Sequence, residues 1–477
     1  MKQFLSISVA LFAVIGLAQA QGNTTPAKTG ATSAEFEQKW VARIAEVKDP
    51  SVLTQLIGEA HAAGSSKVEM AALDRRIALR PHIGIYKLDK AAALAQADRK
   101  SEAYTALVEL QNTGYGYDLR NDPRFAKVST TEVWKYIVDN FDANRAAFGS
   151  GVLAYTLPRE DLLLESVAWD PSREQLLVGS AREGKVYSVA KDGSIKELAS
   201  TDAENGMWAV FDIAVDAKHN ALWIASTAVP HFKAYDASKD LGRAGVFKFD
   251  LKTGKFLKRY LSPPMEAGGL PYLLSSIAVG SDGAVYAADG VNRAIYQVRD
   301  DQFRRILHLP MLTSLSAITV SGDGQKLYFA DPQLGVMGVD LGTLKLFDVR
   351  VPAKLSLEGI SDLQWYDGAL IAVQSSMNPR RVMRLDLSPE GNTISKVTPL
   401  EASNPQFGIP GAMTMAGSMI YLVANDQKDK YDRYGLLKNK DSLEGTRILR
   451  INAKFEAADP NRLGPIDFNK FDEESAQ

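Results

Sequence analysis

The sequence predicts a mainly β chain, a six-bladed β-propeller preceded by an α-helical region. Three observations predict it. Residues 34–148 carry apolar side chains at helical spacing. From Gly151 the period changes to two, with Asp-Gly turns between strands. One phrase, an apolar strand, a short polar turn and a second apolar strand, then recurs six times. Its copies start roughly 40 to 65 residues apart, the period of propeller blades.

The chain opens with Met1 to Ala20, which reads as a secretory signal. Lys2 supplies the positive end, Phe4 to Leu17 the short apolar stretch, and Ala18-Gln19-Ala20 the small-x-small cleavage pattern. A bilayer-spanning helix needs about 20 apolar residues, more than this run has, and no later segment is long and apolar enough. The expectation is an exported protein, in a bacterial periplasm or secreted. Residues 21–33 are small and polar and read as a flexible leader.

The 477 residues are 45% hydrophobic and 23% charged, which excludes disorder for the bulk of the chain. The 55 basic and 57 acidic residues give a net charge of -2, so no basic field suits nucleic acid or an anionic membrane. Cysteine is absent, which removes disulfides, thiolate metal sites and thiol nucleophiles. Five histidines leave little for histidine metal cages. No GxSxG elbow with triad partners and no phosphate-cradling glycine loop is present.

In the helical region, Thr32 and Glu35 form a candidate capping box ahead of Phe36, Trp40 and Ile44. Asp49-Pro50 pairs an N-cap with proline at the first helical position, and that helix stops near Gly64. Ser66 and Glu69 predict a second capping box, for a helix reaching Leu79 before Pro81. Leu88–Ala97 and Ser101–Asn112 form a further pair, with Ala92, Ala95 and Ala103 small where paired helices approach. That pair, with Gly114-Tyr115 and Leu119 to Val128, resembles the end of a tetratricopeptide array. Any small helical bundle is the alternative. Either way these helices are expected to pack, cap or recruit.

The propeller is expected over residues 151–460, with a tail at 461–477. Its copies pair Ser166-Val-Ala-Trp with Leu176-Leu-Val-Gly, and Asp212-Ile-Ala-Val with Leu222-Trp-Ile-Ala. Ser276-Ile-Ala-Val leads to Val285-Tyr-Ala-Ala, Ala317-Ile-Thr-Val to Leu327-Tyr-Phe-Ala, Asp362-Leu-Gln-Trp to Leu370-Ile-Ala-Val, and Ala412-Met-Thr-Met to Ile420-Tyr-Leu-Val. A ring must close, and Leu153 to Leu157 is predicted to close it beside Arg447 to Ile451. Trp169, Trp223 and Trp365 alternate with apolar residues and read as core. Lys428 to Asp441 mixes charges and reads as a solvated loop.

Successive strands of a blade run antiparallel, so the start of each first strand and the end of each second strand share one face. That face collects Glu165, Phe211, Ser275, Ser316, Ser361 and Gly411. It also collects two long segments, Ala228 to Ala244 with His231 and Asn425 to Gly445 with Tyr431, read either as recognition loops or as plain insertions. The residues expected to line it are Glu165, Asp212, His231, Ser275, Ser316, Asp362, Asn425 and Tyr431, in polar recognition of a small molecule, glycan or protein.

Leu164-Glu165-Ser166-Val167-Ala168-Trp169-Asp170-Pro171 resembles the opening of the senescence-marker-protein/gluconolactonase family of six-bladed, metal-dependent lactonases. The resemblance implies a calcium or other divalent cation at Glu165. It also implies a hydrolase in which Asp362 or Asp212 serves as general base. The family's asparagines before the second and fourth repeats fall on Phe211 and Ser316, and its aspartate before the fifth falls on Ser361. A metal site would have to be assembled from Glu165, Glu358, Asp362 and Asp212. The alternative for Glu165 is a channel-mouth carboxylate satisfied by amides or water. Gly245 to Gly254 and Thr446 to Ile451 resemble the yellow/royal-jelly group of secreted propellers, which includes ligand binders. Asp289-Gly-Val-Asn292-Arg293 resembles the turn of NHL-type repeats, with Asp289 and Asn292 as turn hydrogen-bonders.

Overall fold

The structure, a computed structural model, describes residues 33–456. The signal segment, the leader, Thr32 and the tail from residue 461 lie outside the described residues. The chain divides into two compact units. Among the described residues, the first comprises 33–146 and the short segment Ala353–Glu358; the second comprises Ala147–Pro352 and 359–456.

The helical unit contains α1 (Ser33–Trp40), α2 (Pro50–Ala62), α3 (Ser66–Leu79), α4 (Gly84–Gln96), α5 (Lys100–Asn112) and α6 (Glu132–Arg145). The Asp49 side chain accepts from Ser51 N at 2.8 Å, and Pro50 occupies the first turn, as the sequence predicts. For α3 the cap is Ser65 rather than Ser66: the Ser65 hydroxyl accepts from Val68 N, and Ser66 is already helical. From α2 to α6 each helix packs on the next, α4 against α5 through the buried Ala92, Ala95 and Ala103, while α1 packs on α3.

Helix α4 begins at Gly84, earlier than the predicted Leu88, and its cap explains why. The N-cap residue Ile83 has no side-chain acceptor to offer. The Glu358 carboxylate takes its place and accepts from Gly84 N at 2.9 Å. Sequence separation hides such a cap. Tyr115 OH donates to the same Oε2 at 2.5 Å and lies 2.7 Å from Ser356 Oγ. Gly84 is required here, because a Cβ would meet the Tyr115 ring at 2.3 Å. Burial, with the Lys87 charge behind it, pushes the neighbouring His82 imidazole down to about 4.

The second unit is a six-bladed β-propeller, six antiparallel sheets built largely from consecutive strands. Blade 1 runs Leu164–Asp170, Gln175–Ser180, Lys185–Val189 and Ile195–Ser200. Blade 2 runs Ala209–Asp216, Ala221–Thr227, Ala244–Asp250 and Phe256–Leu261. Blade 3 runs Leu274–Val279, Val285–Asp289, Ala294–Arg299 and Gln302–His308. Blade 4 runs Ala317–Val320, Lys326–Asp331, Gly335–Asp340 and Leu346–Asp348. Blade 5 runs Ile360–Tyr366, Ala369–Gln374, Arg381–Leu387 and Ile394–Ala402, and adds Phe148–Gly149 outside.

Blade 6 consists of Met413–Ala416, Met419–Val423 and Arg447–Asn452, completed by Val152–Thr156 from the start of the propeller. Leu153 pairs with Leu449 and Thr156 with Arg447, the closure the sequence predicts. The first strands contact one another in turn and complete a ring, blade 6 against blade 1. Buried apolar residues fill the seams between blades; Trp223, Val246, Ile277 and Tyr296 share one such cluster. Asp289 accepts from Val291 N and Asn292 N, so the Asp289–Asn292 turn is held as expected.

Candidate functional site: the mouth of the propeller

The six phase-equivalent positions keep one environment. Glu165, Phe211, Ser275, Ser316, Ser361 and Gly411 are all half-buried, and the residue before each is fully buried. In blades 1, 2, 3 and 5 the strand register shifts at this residue, the mark of a β-bulge. A bulge turns the chain and re-aims one side chain away from the pleat. The sequence therefore places one residue per blade at the entrance of each inner strand.

Below this rim the inner strands are stitched to one another. Their backbone edges face a neighbour rather than a partner strand, so their N–H groups need acceptors from elsewhere. Asp212 Oδ2 accepts from Ile277 N of the next blade at 2.8 Å, and Ser276 Oγ from Ile318 N at 3.2 Å. Thr319 Oγ1 accepts from Trp365 N at 3.0 Å, Asp362 Oδ2 from Met413 N at 2.6 Å, and Thr414 Oγ1 from Trp169 N at 3.1 Å. In each case the acceptor in one blade serves the blade that follows.

Asp212 and Asp362 thus have structural duties. Each also accepts from its own following amide, Ile213 N at 2.9 Å and Leu363 N at 2.7 Å. They belong to blades 2 and 5, opposite members of the ring. Both keep part of their surface accessible yet sit deep among protein atoms. Burial, then the Asp362 charge, pushes the Asp212 carboxyl up to about 8. Burial pushes Asp362 up to about 6.

Glu165 has a partner that strand phase does not reveal. Lys428 Nζ lies 2.5 Å from Glu165 Oε2 and 3.1 Å from Asp426 Oδ2. The Glu165 side chain is 3% exposed, Asp426 12% and Lys428 43%. Two carboxylates share one ammonium. Burial raises the Glu165 carboxyl above its ordinary value and the Lys428 charge offsets only part of this. Burial alone would lower the Lys428 ammonium, but Asp426 and Glu165 outweigh it and hold it above its ordinary value. Glu165 Oε1 is buried and has no hydrogen-bond partner.

The two long loops meet. His231 and Tyr431 pack edge to face with ring centroids 6.1 Å apart. Arg182, in the turn after the second strand of blade 1, binds both loops. Its Nη1 donates to His231 O at 2.5 Å and Gly435 O at 2.9 Å. Its other nitrogens grip Asp161 at 2.8 and 3.1 Å, and its guanidinium lies over the Tyr431 ring at 5.1 Å. Tyr431 OH donates to the same Asp161 at 2.7 Å. Burial would raise Asp161, but Arg182 and Tyr431 outweigh it and hold the carboxyl below its ordinary value. Gly435, at φ +74, allows the closest approach: a Cβ there would lie 2.4 Å from Pro230 O.

The predicted lining residues therefore divide. Glu165, Asp212, Ser275, Ser316 and Asp362 belong to the inner strands or their entrances. Ser275 Oγ donates to Leu315 O at 3.0 Å and Ser316 Oγ to Ala330 O at 3.1 Å. His231 and Tyr431 are 5% and 4% exposed and hold the loops together. Asn425 spends both ends of its amide on Gly445 O and Arg447 N, tying the base of its own loop. The segment Lys428 to Asp441 is not merely a solvated loop, since it seats Lys428 and buries Tyr431. Glu358 has no place with Glu165, Asp212 or Asp362: its carboxylate holds α4 and Tyr115 in the helical unit.

Sequence reasoning missed Lys428, Arg182 and Asp161. Arg182 carried a usable signal, because it follows a second strand and so shares the face of the other loops. Lys428 carried none beyond its neighbour Asp426.

A model of the major royal jelly protein family matches residues 208–350, a stretch that spans the strands of blades 2, 3 and 4. It includes Gly245 to Gly254, whereas Thr446 to Ile451 lies outside it. No curated protein matches the chain. Among solved structures, the PQQ-bound aldose sugar dehydrogenase of Streptomyces coelicolor is similar at 17% identity, over 65% of this chain and 99% of that one, with a TM-score of 0.42. A gluconolactonase of Xanthomonas campestris is similar at 14% identity, over 63% and 89%, with a TM-score of 0.41. Virginiamycin B lyase of Staphylococcus aureus is similar at 14% identity, over 64% and 99%, with a TM-score of 0.41. The chain is thus a six-bladed propeller preceded by a helical region, similar over residues 208–350 to the major royal jelly protein family.

Proposed function

We propose that this chain is an exported binding protein whose propeller mouth receives a polar group of a small molecule, glycan or protein. In this reading the helical unit supplies a second interaction surface. Glu165 carries the proposal. One of its oxygens is held by Lys428 and the other, Oε1, is buried without a donor. Leaving a buried acceptor unmatched costs about 1–3 kcal/mol, so a bound group that brings an N–H or O–H is favoured there. Lys428, with 43% of its side chain exposed, offers an ammonium to an acceptor on the same ligand. The loops stapled by Arg182 and Asp161 make a pre-ordered rim, which lowers the entropy cost of binding. Export rests on the features of Met1 to Ala20; no helix among the described residues is long and apolar enough to cross a membrane.

The rival reading, a divalent-metal-dependent lactonase or esterase-type hydrolase, fits these residues poorly. A calcium-like ion takes six to eight oxygens. Here Glu165 is paired with Lys428, and Asp212 and Asp362 are committed to backbone amides. Among the described residues no three acidic or histidine side chains converge as a metal cage.

The test is a thermal-shift screen of polar metabolites against the wild type, Glu165→Gln and Lys428→Met. The proposal expects compounds that raise the wild-type Tm and lose that effect in both variants. Shifts that persist in both would overturn it. A calcium-dependent shift, lost in Glu165→Gln, would favour the hydrolase instead.

A further inference from the structure

A pocket open to solvent lies at the other ends of the inner strands, in the seam between blades 4 and 5. A cavity of about 340 Å³ is lined there by Ser321, Asp323, Lys326, Tyr328, Trp365 and the Leu387–Gly391 turn. Its volume is at the lower end of ligand pockets, which run roughly 300–1,000 Å³. Trp365, expected as core, is only half-buried. One face of its indole stacks on Tyr328, with centroids 5.8 Å apart and planes 16° apart. Tyr328 is fully buried and is itself fixed by a hydrogen bond to Gly391 O at 2.9 Å. The exposed part of the indole borders the cavity.

The same scaffold recurs between blades 6 and 1, where Trp169 stacks on Tyr421 at 5.8 Å and its amide binds Thr414. The stack and the amide bond are therefore repeat architecture. What distinguishes the blade 4–5 seam is its polar rim. Two residues before the stacking tyrosine stands Lys326, where blade 6 has Met419. The Lys326 ammonium makes no ion pair or hydrogen bond among the described residues, and its stem lies beside Gly391. Asp323 is anchored through Oδ1, which accepts from Ser321 Oγ at 2.5 Å and Gln325 N at 3.0 Å.

We infer that this cavity binds a neutral sugar ring, with Trp365 against its C–H face and Lys326 and Asp323 hydrogen-bonding its hydroxyls. The charges of Lys326 and Asp323 cancel, so the site is matched to an uncharged ligand that needs both a donor and an acceptor. A flat indole beside polar groups meets the two aspects of a pyranose, an apolar face and a ring of hydroxyls. The volume admits a single ring or a short disaccharide. The site uses none of the groups at the mouth.

Indole N–H signals of the full chain labelled with nitrogen-15 test the inference. The probes are methyl α-D-glucopyranoside, methyl β-D-galactopyranoside, N-acetylglucosamine and cellobiose. At least one probe is expected to shift the Trp365 indole signal saturably and leave that of Trp169 in place. Lys326→Met and Asp323→Asn are each expected to weaken that probe by about tenfold or more. Unmoved signals from the other tryptophans show that each variant is folded. No Trp365 shift with any of the four sugars, or one of equal affinity in both variants, would overturn the inference. Glu165→Gln leaves sugar binding here unchanged, so failure at the mouth and failure at this cavity are separable.

Discussion

Lys428 Nζ sits 2.5 Å from Oε2 of Glu165, placing a charge from the last blade's long loop on the first residue of the hub. The contact joins a loop to the rim on which the recognition surface depends. Removing the cation leaves Glu165 and Asp426 facing each other uncompensated. Breaking a fully buried pair costs about 3–5 kcal/mol. Lys428 is 43% exposed, so solvent screening reduces this to about 1–2 kcal/mol. Lys428→Met is expected to lower the urea midpoint accordingly. Glu165→Gln/Lys428→Met is expected to recover part of the loss, because one of the two uncompensated carboxylates is gone and their mutual repulsion with it. Equal losses in single and double variants would contradict the pairing.

The stitching of the hub predicts an unusual pH dependence. The Asp212 and Asp362 carboxyls are raised, to about 8 and about 6. An unfolded aspartate titrates near 4, so the native state holds more protons between these values. Their contribution to stability is complete below about 4 and is lost as the pH rises through about 6 and then about 8. Calorimetry should show the propeller transition falling in temperature from about pH 4 to about pH 8, with the part above about pH 6 absent in Asp212→Asn. Asp362→Ala strands the amides of Leu363 and Met413 and is expected to cost about 2–3 kcal/mol below about pH 4, and less as the pH rises through about 6.

In the helical unit, Glu358 acts as the cap of α4. Glu358→Ala is expected to destabilise by about 1–3 kcal/mol, since it removes the acceptor of Gly84 N and a partner of Tyr115 OH. Hydrogen exchange should quicken in the first turn of α4 and remain slow in the middle of α2. Uniform loss of protection across both helices would contradict a local cap.

Arg182 holds two loops with one side chain. Arg182→Ala gives up the paired contacts to Asp161, two carbonyl bonds and the stack on Tyr431, at a cost of about 2–4 kcal/mol. Limited proteolysis should then cut within 228–243 and 425–446 well before the blades. Unchanged loop protection would show that Arg182 does not order the rim.

The propeller was legible because its signal repeats. Six copies of one strand-turn-strand phrase fixed the blade number, and the phase of Glu165, Phe211, Ser275, Ser316, Ser361 and Gly411 survived into six matching environments. The closing strand was legible because the first blade's predecessor had to be supplied by the chain start. Contacts between distant residues were not legible. Nothing local announces that Glu358 caps α4, that Lys428 rests on Glu165, or that Tyr431 reaches Asp161. Strand alternation placed Trp223 in the core correctly but misjudged Trp169 and Trp365, both half-buried, because it assigns a face but not whether the neighbouring blade fills the space beyond it.

The absence of cysteine makes the central claim directly measurable. Single cysteines at Ser275, Ser316 and Ser361 can each carry a bimane fluorophore, with exposed Ser395 as the control. A polar metabolite library is titrated against all four labelled proteins. If one rim receives the ligand, at least one compound changes the emission at the three rim positions together, leaves Ser395 silent, and loses its effect in Glu165→Gln. Responses that never coincide at the three positions, or that survive Glu165→Gln unaltered, would contradict a common recognition mouth.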